Sequence, residues 1–141
     1  MVAGPLTLHA TTVAQDGRGV LILGPAGAGK SALGLALLAM GCRLVADDRT
    51  ILTLEQGRIV ARCPPPLRGL IEARGVGLLN AAPIDEAHLA LVVDLGAPEA
   101  DRLPPFRSVT LLGHALPLLH NPATGHFAAA VLQYLIAGRR S

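Results

Sequence analysis

The sequence contains few aromatic residues: they make up 2% of its 141 residues, and tryptophan is absent. The hydrophobic fraction is nevertheless 51%, so we expect a core built from Leu, Val, Ile and Ala side chains. A chain of this length suits one compact domain with one core. We therefore predict a single domain over residues 1–141.

Long apolar runs are also missing. Gly, Pro or a charged residue interrupts each apolar stretch before the roughly 18 to 20 residues that a membrane-spanning helix needs. Residues 1–5 lack the basic segment followed by an apolar one that is typical of a signal peptide. These absences predict a cytoplasmic protein without a membrane partner.

The two cysteines, Cys42 and Cys63, lie outside any CxxC or Cys/His zinc spacing. In a cytoplasmic protein, free thiols are the simpler interpretation of such cysteines. We therefore expect both thiols to be free and buried.

Neither sign of charge dominates. Twelve basic residues oppose ten acidic ones, and the formal net charge of +2 is too close to balance for a general nucleic-acid binder. Every basic residue except Lys30 is an arginine. The single lysine directs attention to the segment around it.

Hydrophobic periodicity predicts an α/β domain with a mixed central sheet and few helices. Helices are expected at residues 31–40, 67–74 and 124–137. Strands are expected at residues 20–23, 43–46, 51–54, 59–61, 89–95, 109–112 and 115–118. Residues 17–19 are expected to form a turn, and Gln56 with Gly57 should join a hairpin.

Lys30 belongs to a complete G-x-x-x-x-G-K-[ST] motif, with a predicted strand before it and a helix after it. Glycines allow backbone N–H groups to turn towards phosphate oxygens, and the helix N-terminus adds the positive end of its dipole. The lysine would contact the β- and γ-phosphates, and the Ser31 hydroxyl would bind Mg²⁺. The predicted nucleotide-binding residues are Gly24, Pro25, Ala26, Gly27, Ala28, Gly29, Lys30 and Ser31.

A phosphate loop of this kind usually works with an acidic residue at the end of a neighbouring strand, which helps to hold Mg²⁺. Asp94 ends the clearest strand of the second half, whereas Asp47 and Asp48 follow a strand closer to the loop in sequence. Adjacent carboxylates repel one another, so a pair kept at one site favours a nearby cation. That argument favours Asp47 and Asp48, but the pattern leaves Asp94 open.

Several segments together resemble the catalytic domain of HPr kinase/phosphorylase, a bacterial enzyme that acts on a serine of the phosphocarrier HPr. They are residues 8–9, residues 24–31, residues 43–49 (RLVADDR) and residues 71–80 (IEARGVGLLN), the last of which resembles the family's signature segment. The resemblance implies a P-loop fold of the HPr kinase and PEP carboxykinase type. It also implies an ATP-dependent protein-serine kinase, with an HPr-like phosphocarrier as partner and ATP and Mg²⁺ as cofactors.

The resemblance further implies catalytic roles for individual residues. Asp48 would be the carboxylate that accepts the proton of the substrate serine, and His9 would be its neighbour. Arg74 would lie near the phosphates, together with Lys30 of the loop.

A metal site is implied by the same resemblance. Ser31 and Glu72 would hold Mg²⁺, with Asp47 close by. The metal would then neutralise phosphate charge beside the catalytic carboxylate.

One segment of the family is absent. The family carries Pro-x-Arg-Pro-Gly-Arg-Asn after its last strands, whereas residues 117–122 read PLLHNP here, without arginine. The C-terminal helical region that helps to bind the partner is largely missing, and the short length resembles the truncated form found in alphaproteobacteria. We therefore expect phosphate-dependent dephosphorylation to be weak or lost, and homo-oligomer formation stays open.

Two other functions remain open. A small-molecule P-loop kinase would share the loop, although Arg102 and Arg107 lie in a Pro-rich segment rather than in an Arg-rich lid. A nucleotide-sensing module would bind ATP and a partner without turnover, but it would not need a base such as Asp48. Without the resemblance, His9 would be read as a surface or turn histidine.

Overall fold

A computed structural model describes residues 4–141 as eleven strands and two α-helices. The strands are β1 (Leu6–Leu8), β2 (Thr11–Gln15), β3 (Arg18–Leu23), β4 (Arg43–Ala46), β5 (Thr50–Glu55), β6 (Arg58–Arg62), β7 (Leu70–Ala73), β8 (Gly77–Asn80), β9 (Glu86–Pro98), β10 (Arg107–Leu111) and β11 (His114–Asn121). The helices are α1 (Lys30–Ala39) and α2 (Phe127–Ala137), and a 3₁₀ turn spans Pro65–Leu67. Residues 1–3, on which the signal-peptide prediction partly rests, lie outside the described residues.

Strands β3 and β9 form the parallel centre of a nine-stranded sheet. On one side of this pair, β2 joins β3 and then β4 joins β2, both antiparallel. On the other side, β6, β5 and β1 follow β9 in antiparallel order, while β11 pairs parallel with β9 and carries β10 beside it. The predicted α/β class with a mixed sheet and few helices is confirmed.

Consecutive side chains of the central strands point to opposite faces of the sheet, so the hydrophobic core consists of two clusters, one on each face. Val20 and Ile22 of β3 belong to a cluster with Leu37 of α1 and Leu135 of α2. Leu21, which lies between them in sequence, belongs to a second cluster on the opposite face. Helix α1 packs against β2, β3 and β4, and α2 packs against β2 and β3. This packing holds the loop before α1 at the C-terminal end of β3.

The helix predicted at residues 67–74 is wrong. A run of three prolines, two of which lie in the 3₁₀ turn, precedes β7, and in this strand the exposed Glu72 lies between the buried residues Ile71 and Ala73. Gly75 and Gly77 have φ values of 83° and 142°, and this left-handed backbone returns the chain as β8. Glu72 therefore lies on a strand of a two-stranded sheet, because the period of its segment is two and not 3.6.

Most other predicted elements are confirmed with shifted ends. The first helix begins at Lys30, and Gly41 follows it with a φ of 101°. The predicted turn at residues 17–19 is wrong in extent, since pairing with β2 already begins at Arg18. The last helix begins at Phe127, three residues later than expected. Within residues 4–141, no helix is both long and apolar enough to cross a membrane.

Both cysteines are free, but only Cys42 is fully buried. Cys63 is partly exposed, since it follows β6 at the start of the proline run. Burial raises the pKa of each thiol, and at Cys63 this rise is opposed by the charge of Arg68 and supported by that of Asp47. Both thiols are therefore mainly protonated at neutral pH.

Candidate active site

The G-x-x-x-x-G-K-[ST] loop leaves the C-terminal end of β3 and enters α1. Gly24 has a φ of 150°, and a Cβ at this position would lie 3.1 Å from the Cβ of Ala28 and 3.3 Å from the Cβ of Leu95. Gly27 and Gly29 have φ values of 83° and 101°, which other residues adopt rarely. The backbone of the loop therefore requires glycine at the three positions where the sequence has it.

Positive charge is concentrated where the loop meets α1. Gly29 caps the helix without a side-chain hydrogen bond, and no acidic residue lies in the first turn. The first N–H groups of a helix lack intrahelical partners and carry the positive end of the dipole. Lys30 adds an ammonium group, whose Nζ donates to the carbonyl oxygens of Gly24 at 2.8 Å and Pro25 at 3.2 Å. This arrangement favours binding of a phosphate.

Asp47 lies directly after β4 and is 7% exposed. Its Oδ1 accepts hydrogen bonds from Ser31 Oγ at 2.7 Å and from Thr11 Oγ1 at 2.8 Å. Its Oδ2 accepts the backbone N–H of Glu72 at 3.0 Å. These donors give both oxygens of the buried carboxylate a hydrogen-bond partner. The structure therefore joins the loop serine to Asp47.

Asp94 has a different set of contacts. It lies on β9 opposite Leu23, and its Oδ1 accepts the backbone N–H of Gly96 at 2.8 Å. A Cβ at Gly96 would lie 3.0 Å from the Cδ of Pro25, so this turn packs closely against the loop. Asp94 therefore stabilises a turn that packs against the loop. Asp47 is the strand-end aspartate that contacts the loop serine.

Asp48 is exposed although its neighbour Asp47 is buried. Its φ is 68°, and the N–H of Arg49 donates to the carbonyl oxygen of Asp47 at 2.8 Å, which closes a three-residue turn. Such a backbone conformation costs about 1–3 kcal/mol for a residue other than glycine. Ala10 N–H donates to the Asp48 carbonyl oxygen at 3.2 Å, and His9 Nδ1 lies 3.9 Å from Asp48 Oδ1. The structure therefore brings His9 and Asp48 together at the surface.

The β7–β8 hairpin carries the other two predicted site residues. Glu72 contacts Asp47 through its main chain, while its side chain is exposed. Arg74 is exposed in the turn after β7. Among residues 4–141, no hydrogen bond or ion pair joins the Arg74 side chain to another residue. The structure brings Glu72 to the site by its backbone and leaves Arg74 at the rim of the hairpin.

The donor atoms around Ser31 fit a hard cation. Mg²⁺ typically uses one or two carboxylates together with substrate phosphates and water. Within residues 4–141, no group of three or more His, Cys, Asp or Glu side chains could hold a metal ion alone. Because the Ser31 hydroxyl donates a hydrogen bond to Asp47, its oxygen lone pairs remain free for a cation. The hydroxyl and the carboxylate suit Mg²⁺ that is bound together with a nucleotide.

The fold and the site together define an α/β domain with a Walker A loop after a central strand and a buried aspartate on the loop serine. The solved structure of the Hpr(Ser) kinase/phosphatase from Coxiella burnetii shares this fold, with a TM-score of 0.79 and 30% sequence identity over 93% of this chain and 88% of that chain. Residues 2–101 match the family described as the HPr Serine kinase C-terminal domain. The chain belongs to this family.

Curated relatives named HPr kinase/phosphorylase match a shorter part of the chain. The protein from Cupriavidus necator is 47% identical over 76 residues, and the one from Burkholderia lata is 44% identical over 81 residues. These stretches cover 53% and 57% of this chain, but only 24% and 25% of the relatives. The chain thus spans about a quarter of the length of the curated relatives it matches.

One residue of the site carries no signal in the sequence. Thr11 belongs to no motif, and only the pairing of β2 with both β3 and β4 brings it to Asp47. The strand that carries Glu72 did have a signal, namely alternating apolar residues followed by closely spaced glycines. The preceding prolines obscured it, because proline is also favoured at a helix start.

Proposed function

We propose that the chain is the catalytic part of an ATP-dependent protein-serine kinase, with an HPr-like phosphocarrier as its partner. The observation that carries the proposal is that two consecutive carboxylates have different environments. Asp47 is hydrogen-bonded to Ser31 inside the protein, and Asp48 is exposed beside His9. Transfer to a protein hydroxyl needs both a metal-linked carboxylate and an accessible proton acceptor. The names of the family and of its relatives, which refer to HPr, support the choice of partner.

The loop and the N-terminus of α1 would bind the phosphates of ATP. Lys30 would exchange its two carbonyl contacts for phosphate oxygens, which are stronger acceptors because they are charged. Ser31 and Asp47 would hold Mg²⁺, which supplies charge neutralisation at the transferred phosphoryl group. Additional roles of Glu72 at the metal and of Arg74 at the phosphates are part of the proposal.

In the transfer step, the Oγ of the substrate serine forms a bond to the γ-phosphorus of ATP. The bond from that phosphorus to the β–γ bridging oxygen breaks, and ADP leaves with its electron pair. Asp48 accepts the serine proton, and His9 supports the orientation of the Asp48 carboxylate. A carboxylate is a weak base towards serine, so positioning and charge neutralisation must supply most of the rate.

The accessibility of the proposed base favours a protein substrate. The side chains of His9 and Asp48 are 78% and 71% exposed, so the folded surface of a partner can reach them without a conformational change. A kinase for a small metabolite instead encloses its substrate to exclude water. We place the reaction in the cytoplasm, where ATP is supplied.

The test is a phosphotransfer assay with the phosphocarrier from the same organism. The purified chain, γ-labelled ATP and Mg²⁺ should produce acid-stable phosphoserine on the carrier. Asp48→Asn should lower the transfer rate by about 100-fold or more, the range for loss of a general base. It should leave ATP binding intact, because Asp48 does not contact the loop.

Asp16 offers a matched control for this substitution. It is also an exposed aspartate with a positive φ, of 51°, but it lies in the turn before β3, at the end of that strand away from the loop. Asp16→Asn should therefore keep the wild-type rate. Absence of phosphoserine with the wild-type chain, or full activity of Asp48→Asn, would contradict the proposal. Binding of ATP without any transfer would identify a nucleotide sensor instead.

A further inference from the structure

Thr11 is a fully buried polar residue that lies between two parts of the site, Asp47 and helix α1. It lies on β2 and is 0% exposed, and its hydroxyl donates to Asp47 Oδ1 at 2.8 Å. A hydroxyl at such a position is costly to bury without a partner. Its single side-chain hydrogen bond is made to the carboxylate that also accepts a hydrogen bond from Ser31.

The methyl group of Thr11 lies against α1. A Cβ built on Gly34 would come within 2.7 Å of Thr11 Cγ2, so the helix approaches β2 closely at this point. Gly34 follows Ser31 by three residues, and residues with this spacing share one face of a helix. Thr11 therefore sits between the helix that carries Ser31 and the strand end that carries Asp47.

A carboxylate oxygen that accepts two hydrogen bonds is held more firmly than one that accepts a single hydrogen bond. Ser31 and Thr11 both donate to Oδ1, while Oδ2 receives only the main chain of Glu72. Ser31 belongs to the phosphate loop and would gain a contact when a cation binds. Thr11 lies on a core strand and would keep its contacts unchanged. Its hydrogen bond can therefore hold Asp47 in place both before and after the cation binds.

We infer that Thr11 is a positioning residue for the metal site: its hydroxyl fixes Asp47 so that Ser31 presents its lone pairs to Mg²⁺ bound with a nucleotide. This inference rests on the proposed function, because it assumes that the loop binds Mg²⁺ and ATP. It assigns a role to a residue that lies outside the loop motif and outside the predicted catalytic set.

The test compares ATP binding with and without Mg²⁺ by isothermal titration calorimetry. The wild-type chain should bind ATP more tightly when Mg²⁺ is present. Thr11→Val keeps the shape of the side chain but removes the hydroxyl. It should reduce the gain from Mg²⁺ by about tenfold, the size expected for one hydrogen bond to a charged group. Metal-free binding of ATP should stay within about twofold of wild type, since the loop backbone is untouched.

Neighbouring Thr12 provides a matched control. It is also 0% exposed, but its hydroxyl pairs with Thr50 Oγ1 at 2.9 Å on the other face of the sheet. Thr12→Val removes an equally buried hydroxyl and should keep the full Mg²⁺ gain. Thr11→Ser, which retains the hydroxyl, should recover most of the gain. Thr11→Ala serves as a second hydroxyl-free variant if Thr11→Val does not fold.

The outcomes separate this inference from the proposed function. If the wild-type chain binds no ATP, both fail. If it shows the Mg²⁺ gain and Thr11→Val or Thr11→Ala keeps that gain, only the role of Thr11 is overturned. The role is also overturned if Thr12→Val loses the gain equally, or if Thr11→Ser is no better than the hydroxyl-free variants. Selective loss in the hydroxyl-free variants, with recovery in Thr11→Ser, supports it.

Discussion

Asp47 and Asp48 are consecutive residues with opposite environments: the first is 7% exposed and bonded to Ser31, and the second has a side chain that is 71% exposed. Both lie in the three-residue turn that the Arg49 N–H closes on the Asp47 carbonyl oxygen. Because Asp48 has a φ of 68°, the chain accepts a strained backbone at this point. Strain of this kind is often kept at functional sites.

The positive φ of Asp48 predicts that glycine at this position gives a more stable protein than alanine. Asp48→Gly should have a free energy of unfolding about 1 kcal/mol higher than Asp48→Ala, because alanine keeps the steric cost of a positive φ. Both variants should lose phosphotransfer. Urea denaturation of the two proteins checks the difference, and equal stabilities would show that the turn is not strained.

The single lysine predicts a strong effect of Lys30→Ala. The variant should bind ATP about 30- to 100-fold more weakly, since it loses hydrogen bonds from a charged group and no other lysine can replace them. Calorimetric titration measures the change. Arg18→Ala removes the same charge at the opposite end of β3 and should bind ATP like the wild type. Similar losses in the two variants would indicate a general effect of charge.

The close approach of Gly34 to Thr11 predicts that a methyl group is not tolerated there. In an open helix, Gly→Ala stabilises by about 1 kcal/mol, but here the new Cβ would lie 2.7 Å from Thr11 Cγ2. Overpacking of this kind costs about 1–3 kcal/mol, so Gly34→Ala should be destabilised overall.

Thr11→Ser removes the methyl group that Gly34→Ala would meet. The double variant should therefore be more stable than Gly34→Ala alone, and a double-mutant cycle on the free energy of unfolding measures the coupling. Additive effects of the two substitutions would rule out the contact as the cause.

Arg62 of β6 forms ion pairs with Glu55 of β5 and Glu86 of β9. This cluster predicts that stability depends on pH in the acid range. Hydrogen bonds from Arg62 and then Thr53 lower the pKa of Glu55 from 4.5 to about 2. A depressed carboxyl pKa contributes stability above the unfolded value near 4.5, and that contribution is lost as the pH falls towards 2.

Glu55→Gln should therefore lower the Tm slightly at pH 6 and have a much smaller effect at a pH near 2. The effect should also shrink in high salt, because Glu55 is exposed. Thermal melts at the two pH values check this. An unchanged difference at low pH would mean that packing, not charge, is responsible.

The absence of arginine at residues 117–122 predicts weak dephosphorylation. In place of an Arg-containing segment, β11 ends at Asn121, whose side chain donates to the Leu95 carbonyl oxygen at 3.3 Å and accepts the Ala123 N–H at 2.9 Å. Without the charge-assisted contacts that arginine in this segment would add, transfer of the phosphoryl group from the phosphoserine carrier to inorganic phosphate, which forms pyrophosphate and restores the serine, should be at least about tenfold slower than the forward reaction. A pyrophosphate-release assay with inorganic phosphate measures it, and comparable rates in both directions would contradict the expectation.

Local sequence accounts for the elements that depend on neighbouring residues. The loop motif, the helix after it and the strand that ends at Ala46 all follow from contiguous residues, and each is found in the structure. The segment around Glu72 does not, since prolines before it and glycines after it are compatible with both a helix start and a hairpin. Packing of Ile71 against α1 decided in favour of the strand.

The sequence by itself determined the α/β class, the phosphate loop with its single lysine, and two candidate positions for the carboxylate, because these depend on periodicity and on a contiguous motif. Tertiary structure decided which aspartate meets Ser31, because strand order places β4 beside β2 and so brings Thr11, Ser31 and Asp47 together from three separate elements. Tertiary structure also decided that Asp47 is buried and Asp48 is exposed. The turn with a positive φ at the end of β4 directs the first side chain into the protein and the second towards solvent.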